Sequence, residues 1–554
     1  MSDTAELVNI ASHLPAMARE QPDRQAVVFP HGRDGAGRVS YTHFTFRQLD
    51  AESDRIAAGL LEYGITRGMR TVLMVTPSLD FFALTFALFK MGAVPVMIDP
   101  GMGVKNLGQC LEEARPEAFI GVPKAHVARC LFRWAHSTLT RWVTVGRRCG
   151  WGGDTLKAIR DRVGGNHDFR MAATQADEVA AILFTSGSTG VPKGVVYTHG
   201  IFDSQVKMLR TIYNIRPGEV DLPTFPLFAL FAPALGMTAI IPDMDATRPA
   251  SVDPVMIGEC ISNFGVTNMF GSPALLNRVS RHGSARGVRF PSLKRIISAG
   301  APVSSAILER VTKMLGPDAQ IFTPYGATES LPVASIGSRE ILNETTSRTN
   351  AGAGVCVGKA VDGIELRIIR ITDDPITEWS DSLELRRGEI GEIAVKGGNV
   401  TREYFNRPES TALGKIPNAS GGGFYHRMGD VGYLDDTDRI WFCGRKAHRV
   451  VTSSGTLFTI PCEAIFNTHP EVFRTALVGV TRDGTTEPCL CVELDPETRR
   501  QPESAIRADL LKIGSAHQLT REIRTILFHP AFPVDIRHNA KIFREKLAVW
   551  AAKR

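Results

Sequence analysis

The chain has 554 residues, of which 43% are hydrophobic, and its 64 basic and 58 acidic residues give a formal net charge of +6. This length allows several domains and a large core, while so small a charge argues against a nucleic-acid-binding protein. Nine scattered cysteines form no CxxC pair, the first residues lack a signal-peptide pattern, and Pro and Gly interrupt the apolar stretches. We therefore expect a cytoplasmic protein with no disulfide framework, zinc site or transmembrane segment.

Strand and helix patterns alternate in the first third of the chain. Residues 71–75, 81–91 and 94–98 have the pattern of a strand, an apolar helix and a second strand. This spacing predicts a βαβ unit and a parallel sheet. Further on, residues 130–139 predict a helix, and residues 149–167 show so little periodicity that we expect a surface insertion.

A loop of small residues then lies between two apolar, strand-like runs. It reads Thr185-Ser186-Gly187-Ser188-Thr189-Gly190-Val191-Pro192-Lys193-Gly194. Glycines let backbone N–H groups approach an anion, the hydroxyls add donors, and Lys193 adds a positive charge. The loop predicts a cradle for a triphosphate or pyrophosphate, although it lacks the Gly-Lys-Ser/Thr ending of a Walker A loop. The alternative, a plain surface turn, is disfavoured by the buried strands on both sides.

Alternating patterns over residues 364–369 and 391–395 predict antiparallel strands of a small β subdomain. Four short motifs complete the pattern: Tyr325-Gly326-Ala327-Thr328-Glu329, Met428-Gly429-Asp430, Gly444-Arg445 and Lys541. With the loop, they occur in the order and at the spacing of one known family, and they span most of the chain.

The chain resembles the acyl-adenylate-forming superfamily of acyl-CoA synthetases, peptide-synthetase adenylation domains and luciferases. The resemblance implies an α/β fold: a large N-terminal domain with parallel sheets and a β subdomain, over residues 1–444, and a small mobile C-terminal α/β domain over residues 445–554. It also implies ATP and a carboxylic acid as small-molecule substrates, and Mg²⁺ as the metal.

The resemblance assigns roles to individual residues. Glu329 would hold Mg²⁺, Tyr325 would stack on adenine, and Asp430 and Arg445 would bind the ribose. The implied nucleotide-binding residues are Thr185, Ser186, Gly187, Ser188, Thr189, Gly190, Gly300, Ala301, Pro302, Tyr325, Gly326, Ala327, Thr328, Asp430 and Arg445. The implied catalytic residues are Lys193, Thr328, Glu329 and Lys541, with Lys541 bridging carboxylate and phosphate. The implied acyl pocket is lined by Phe228, Ala229, Phe231 and Phe270.

Several residues depart from the family pattern. Ala229 stands where many acyl-CoA synthetases have a histidine, Ala447 where the hinge aspartate is expected, and Val451 where a lysine is expected. The hinge and the loop after it serve the thioester-forming step of the family, so these changes argue against coenzyme A as the acceptor. Ala540 also replaces the glycine that usually precedes the catalytic lysine.

If no thiol enters, the simplest nucleophile is a hydroxyl that the acid itself carries. A 3-hydroxyl could attack its own acyl-adenylate and close a four-membered lactone, since enforced proximity can offset ring strain. The chain as a whole resembles the β-lactone synthetases of bacterial long-chain olefin biosynthesis, which implies partners among thiolase-like, reductase and decarboxylase enzymes. Two alternatives stay open: a long-chain acyl-CoA or acyl-AMP ligase, and a non-catalytic nucleotide-binding scaffold.

Overall fold

The computed structural model describes residues 7–164, 169–185, 192–534 and 541–554. The strands are β1 Gln25–Arg33, β2 Val39–Thr45, β3 Arg70–Met74, β4 Val94–Ile98, β5 Ala118–Gly121, β6 Arg141–Thr144, β7 Asp154–Thr155, β8 Val179–Thr185, β9 Lys193–Thr198, β10 Val220–Pro223, β11 Thr238–Ile240, β12 Asn268–Phe270, β13 Arg295–Ile297, β14 Gln320–Ala327, β15 Ser330–Gly337, β16 Val355–Ala360, β17 Ile364–Ile369, β18 Gly391–Gly397, β19 Lys415–Pro417, β20 Phe424–Leu434, β21 Ile440–Arg445, β22 Val450–Thr452, β23 Gly455–Leu457, β24 Val472–Arg482, β25 Thr485–Leu494 and β26 Thr525–Phe528.

The α-helices are α1 His13–Glu20, α2 Phe46–Tyr63, α3 Leu79–Lys90, α4 Val104–Ala114, α5 Pro123–Leu131, α6 Leu156–Arg162, α7 His199–Ile212, α8 Pro226–Ala229, α9 Phe231–Leu235, α10 Pro254–Phe264, α11 Pro273–Arg286, α12 Ser305–Thr312, α13 Ser338–Glu340, α14 Thr346–Arg348, α15 Pro408–Gly414, α16 Thr459–Phe466, α17 Glu503–Ser515 and α18 Arg544–Ala552. Short π-helical segments, Ile341–Thr345 and Thr349–Ala353, follow α13 and α14.

One largely parallel sheet and one mixed sheet form the N-terminal part. The first has the order β7-β6-β5-β3-β4-β8-β9, in which only β9 is antiparallel to its neighbour. The second begins β2-β1-β11-β10-β12-β13-β14 and continues through β15 into the antiparallel strands β16, β21, β20, β18 and β17. Side chains of helices α2 and α3 pack in one hydrophobic core with side chains from both sheets. This arrangement confirms the predicted α/β fold with parallel sheets and a β subdomain.

Beyond Arg445 the chain forms a β22–β23 hairpin, a three-stranded sheet of β24, β25 and β26, and helices α16 to α18. This part packs on the π-helical segment that ends at Ala353. Gly352 has φ +89°, and a Cβ there would lie 2.9 Å from Ile465 Cδ1, so only glycine fits this close approach. An ion pair of 2.9 Å between Arg281 on α11 and Asp495, just after β25, also connects the N-terminal part with the C-terminal part.

The structure corrects two expectations. The helix expected over residues 130–139 lies earlier, in α5, because Pro123 begins it and the positive φ of Arg133 and Ala135 prevents its continuation. The insertion expected over residues 149–167 contains helix α6, which buries Leu156 and Ile159 against the core. A helix of seven residues, about two turns, shows too little periodicity in the sequence to be distinguished from a loop.

Candidate active site

The carboxyl ends of four neighbouring parallel strands meet at one edge of the second sheet. Pro223, Phe270, Ile297 and Phe322 are aligned across β10, β12, β13 and β14. The segments that follow these strands therefore lie side by side, and they carry the predicted acyl, adenine and phosphate residues. In open α/β sheets this edge is the usual place for a ligand.

The predicted ribose-binding residues lie together. Asp430 on β20 stands opposite Arg445 on β21, and Arg445 Nη1 lies 3.1 Å from Asp430 Oδ1. The Tyr325 hydroxyl donates a hydrogen bond of 2.7 Å to Asp430 Oδ2. Burial raises the pKa of Asp430, and the charge of Arg445 opposes that rise, so the arginine keeps a buried carboxylate available as an acceptor.

The turn after β14 holds Thr328 and Glu329. It closes tightly, since a Cβ on Gly326 would lie 2.6 Å from the Ser330 carbonyl oxygen. The Tyr197 hydroxyl donates to the Thr328 carbonyl at 2.5 Å. The Thr401 amide donates to the Glu329 carbonyl at 2.9 Å. These bonds fix the backbone on both sides of the Glu329 side chain, and Ala327 ends the strand that leads into the turn.

The predicted phosphate loop ends, at Lys193, near this turn. Thr185 at the end of β8 pairs with Lys193 at the start of β9, so the loop connects two antiparallel strands of the first sheet. Ser186, Gly187, Ser188, Thr189 and Gly190 lie outside the described residues. Lys193 Nζ lies 5.0 Å from the centre of the Tyr404 ring, and the Tyr404 hydroxyl donates to Glu329 Oε1 at 2.7 Å. Lys193 and Glu329 are thus brought to either side of one aromatic residue.

The residues predicted to wall the adenine pocket follow β13. Gly300 has φ +96°, which turns the chain, and the half-buried Ala301 and the exposed Pro302 come next. The Ser298 amide donates to the Phe322 carbonyl at 2.9 Å and holds this segment against β14. The segment therefore lies at the same edge as Tyr325.

The predicted acyl pocket follows β10 and β12. The rings of Phe228 on α8 and Phe270 are 4.5 Å apart, and Phe225 lies 5.4 Å from Phe228. Ala229 is fully buried, while Phe231 is half-buried and packs against the main core. The four predicted pocket residues lie at or just after the carboxyl ends of β10 and β12, and Ala229 is part of the hydrophobic core.

Lys541 belongs to the C-terminal part and stands just before α18. Its charge acts on His448, in the short 3₁₀ turn that follows Arg445. Burial, followed by the charges of Arg544, Arg445 and Lys541, lowers the pKa of His448 to about 4. Lys541 therefore lies near His448, three residues after Arg445 in the chain, and His448 is neutral at pH 7.

The sequence analysis missed Tyr197, Thr401, Tyr404 and Lys415. Lys415 is buried, and its Nζ donates to the Thr401 carbonyl. Burial lowers the pKa of Lys415 to about 7, while the Glu329 charge opposes that fall. None of these residues stands in a motif with a chemical signature, and each reaches the site through pairing between distant segments. Among Glu329 and these four neighbours, a sequence motif indicated Glu329 alone.

The site fits a magnesium ion supplied together with phosphates. Among the described residues, no group of three or more His, Cys, Asp or Glu side chains is placed to hold a metal. Mg²⁺ needs no such group, because it is commonly held by one or two carboxylates and by the substrate phosphates. Glu329 supplies one hard carboxylate beside Lys193, which matches that mode of binding.

Comparison with known proteins agrees with this geometry. A family model described as "AMP-binding enzyme" matches residues 14–405. The chain belongs to the family of AMP-binding enzymes. Two relatives named "Olefin beta-lactone synthetase" are similar to this AMP-binding enzyme over 551 residues: one from Stenotrophomonas maltophilia is 53% identical, over 98% of each chain, and one from Xanthomonas campestris is 52% identical, over 99% of this chain and 98% of its own.

A solved structure, the amide bond synthetase McbA from Marinactinospora thermotolerans, superposes on this AMP-binding enzyme with a TM-score of 0.78 at 21% identity, over 98% of this chain and 99% of the other. At that identity the likeness concerns the fold. The predicted resemblance to adenylate-forming enzymes is confirmed. No helix within the described residues has the length and apolar character needed to cross a membrane.

Proposed function

We propose that this AMP-binding enzyme adenylates a 2-alkyl-3-hydroxy fatty acid and closes it to a β-lactone, with AMP and diphosphate as the other products. The observation that carries this proposal is the 53% identity, over 98% of both chains, to a relative named olefin beta-lactone synthetase. The hinge supports it as well: Ala447 carries no charge, and Val451 on the β22–β23 hairpin is 55% exposed.

In the first step the acid's carboxylate attacks the α-phosphorus of ATP, and diphosphate leaves. Asp430 and Arg445 bind the ribose, and Tyr325 faces the adenine. Lys193 and Lys541 bring positive charge to the reacting oxygens, which lowers the barrier between two anions. Glu329 would hold Mg²⁺ together with the phosphates, and the bound ion would neutralise charge on the departing diphosphate.

In the second step the 3-hydroxyl oxygen attacks the acyl carbon of the adenylate. The hydroxyl proton passes to solvent water, the acyl C–O bond to the phosphate breaks, and AMP leaves with the electron pair of that bond. The rings of Phe228 and Phe270 restrict the acyl chain at the site edge, so the hydroxyl can be held near the acyl carbon. Holding reacting atoms in this way supplies much of the rate of an intramolecular reaction.

The same proposal places the enzyme among others that make its hydroxy acid and consume its lactone. A 3-hydroxy acid with a 2-alkyl branch comes from condensation of two acyl chains followed by reduction, and loss of CO₂ from the lactone leaves an alkene. We propose that partners with those activities work beside this chain, in a reducing cytoplasm that suits its nine free cysteines.

Mass spectrometry of products tests the proposal. The purified enzyme is incubated with ATP, Mg²⁺ and a 2-alkyl-3-hydroxy fatty acid, with and without coenzyme A. We expect AMP and a β-lactone without coenzyme A. AMP that forms only with coenzyme A, together with a thioester, would instead establish an acyl-CoA ligase, and absence of AMP with every acid would indicate a nucleotide-binding scaffold.

A further inference from the structure

Tyr404 is the described residue that contacts both Lys193, at the exit of the phosphate loop, and Glu329, in the turn after β14. Its hydroxyl donates to Glu329 Oε1 at 2.7 Å, and its ring faces Lys193 Nζ at 5.0 Å. The side chain is buried, with 8% of the residue exposed. It thus stands between the two charged groups to which the proposed function assigns the metal and the phosphates.

The backbone around Tyr404 is held as firmly as its side chain. Tyr404 forms an isolated antiparallel bridge with Val195 on β9, and the next amide, of Phe405, donates to the Gly194 carbonyl at 2.7 Å. The Tyr404 amide also donates to Thr411 Oγ1 on α15 at 3.1 Å. The ring therefore moves with the strand that leaves the phosphate loop, whereas its hydroxyl reaches the other sheet.

We propose that Tyr404 is a positioning residue that aligns the Glu329 carboxylate for the metal ion and the Lys193 ammonium for the phosphates; this inference rests on the proposed function. A hydrogen bond to Oε1 restricts rotation of the carboxylate and leaves its second oxygen for the cation.

The hydroxyl and the ring can be separated by mutation. Y404F removes the hydrogen bond to Glu329 and keeps a ring beneath Lys193. Y404L removes both. We therefore expect Y404F to weaken metal binding alone, and Y404L to weaken also the binding of a nucleotide without metal.

Tyr425, on β20 of the second sheet, offers a matched control. Tyr425 is 2% exposed, and its hydroxyl donates to Glu365 Oε1 at 2.5 Å. Y425F thus removes the same kind of bond, from a buried tyrosine to a glutamate, at a place that contacts none of the proposed site residues. The melting temperatures of Y404F and Y425F are compared first, so that a loss of stability common to both variants is separated from a loss of metal binding.

The test measures Mn²⁺ binding by electron paramagnetic resonance, in the presence of α,β-methylene-ATP, which the enzyme does not cleave. Y404F is expected to raise the Mn²⁺ dissociation constant about fivefold, the effect of one lost hydrogen bond, while Y425F stays at the wild-type value. Without metal, calorimetry with the analogue is expected to give an unchanged Kd for Y404F and a Kd raised about threefold for Y404L, through loss of the cation–π contact.

The variant E329Q distinguishes a failure of the Tyr404 proposal from a failure of the metal role proposed for Glu329. If E329Q weakens Mn²⁺ binding and Y404F does not, Tyr404 is only a structural residue and the positioning proposal is wrong. If E329Q itself binds Mn²⁺ like the wild type, the metal role of Glu329 in the proposed function is wrong. An equal loss of metal binding in Y404F and Y425F would also overturn the proposal, because the effect would then follow from the loss of any buried tyrosine–glutamate hydrogen bond.

Discussion

Asp430 and Arg445 face each other on neighbouring antiparallel strands, and their side chains pair at 3.1 Å at the point where the chain leaves the large sheet. Both were expected to bind ribose. Asp430 is buried and also accepts the Tyr325 hydroxyl, so its two oxygens are already oriented before any nucleotide enters.

Replacing Asp430 with asparagine tests this orientation. D430N removes the charge that pairs with Arg445 and replaces one of the two acceptor oxygens by a donor NH₂ group. Since hydrogen bonds to charged groups contribute about 1.5–3 kcal/mol, we expect the Kd for ATP to rise at least tenfold. Calorimetric titration measures the change. D373N, which removes an exposed partner of Arg449, is the control, and an equal rise there would contradict a specific nucleotide role.

Lys541 is expected to act in adenylation rather than in nucleotide binding. K541A should lose carboxylate-dependent diphosphate release by a factor of about 10² or more, because the ammonium stabilises charge that develops in the transition state. The Kd for ATP should change little. K546A, on the exposed side of α18, serves as the control. Diphosphate release at the wild-type rate in K541A would remove Lys541 from the mechanism.

His199 makes stability depend on pH. Its side chain is fully buried, and burial lowers its pKa to about 4. As pH falls below the unfolded value of 6.5, the unfolded chain binds a proton that the folded chain does not, so stability decreases until pH reaches about 4. At about 1.4 kcal/mol per unit, the loss amounts to about 3 kcal/mol.

Melting temperatures measured between pH 7 and pH 4 test this. H199Q should be less stable than the wild type at pH 7, because Ile10 loses its imidazole acceptor, yet the difference should shrink as pH falls. H136Q, at an exposed position, should follow the wild-type curve throughout. A constant difference between H199Q and the wild type at every pH would contradict the linkage.

Phe270 is expected to restrict the acyl chain. F270A removes a ring that lies 4.5 Å from Phe228 and leaves space for a larger 2-alkyl branch. Since each buried methylene contributes about 0.8 kcal/mol, kcat/KM for a branch longer by two carbons should rise about tenfold relative to the original substrate. The ratio is measured by competition between the two acids. F132A, at an exposed position, should leave the ratio unchanged, and an unchanged ratio in F270A would place the pocket elsewhere.

The sequence predicted those parts of the site whose chemistry is local. Tyr325 to Glu329, Asp430 and Arg445 stand in short motifs, and strands that alternate with helices predict that such motifs gather at one sheet edge. Tyr404 could not be found in this way. Its role depends on pairing with β9 and on a hydrogen bond to Glu329, 75 residues away in the chain, and neither contact leaves a local pattern.

The errors in the fold have the same origin. Helix α5 ends just before Arg133 and Ala135, which adopt positive φ. This conformation is unusual for arginine and alanine, so the sequence does not predict it. Helix α6 is stable because Leu156 and Ile159 pack against the core, not because of a repeating pattern. Backbone conformation decided the first element and tertiary packing the second, whereas the long helix α2, with its capping box at Thr45 and Gln48, was predictable from the sequence alone.

The last residue of β21 is the arginine that pairs with Asp430. The next residue, Lys446, begins the 3₁₀ turn that leads into the C-terminal part, so that part is attached to the large sheet at a residue of the predicted ribose site. A shift of the backbone at Arg445 would therefore act on the Asp430 carboxylate and on the first turn of the C-terminal part at the same time.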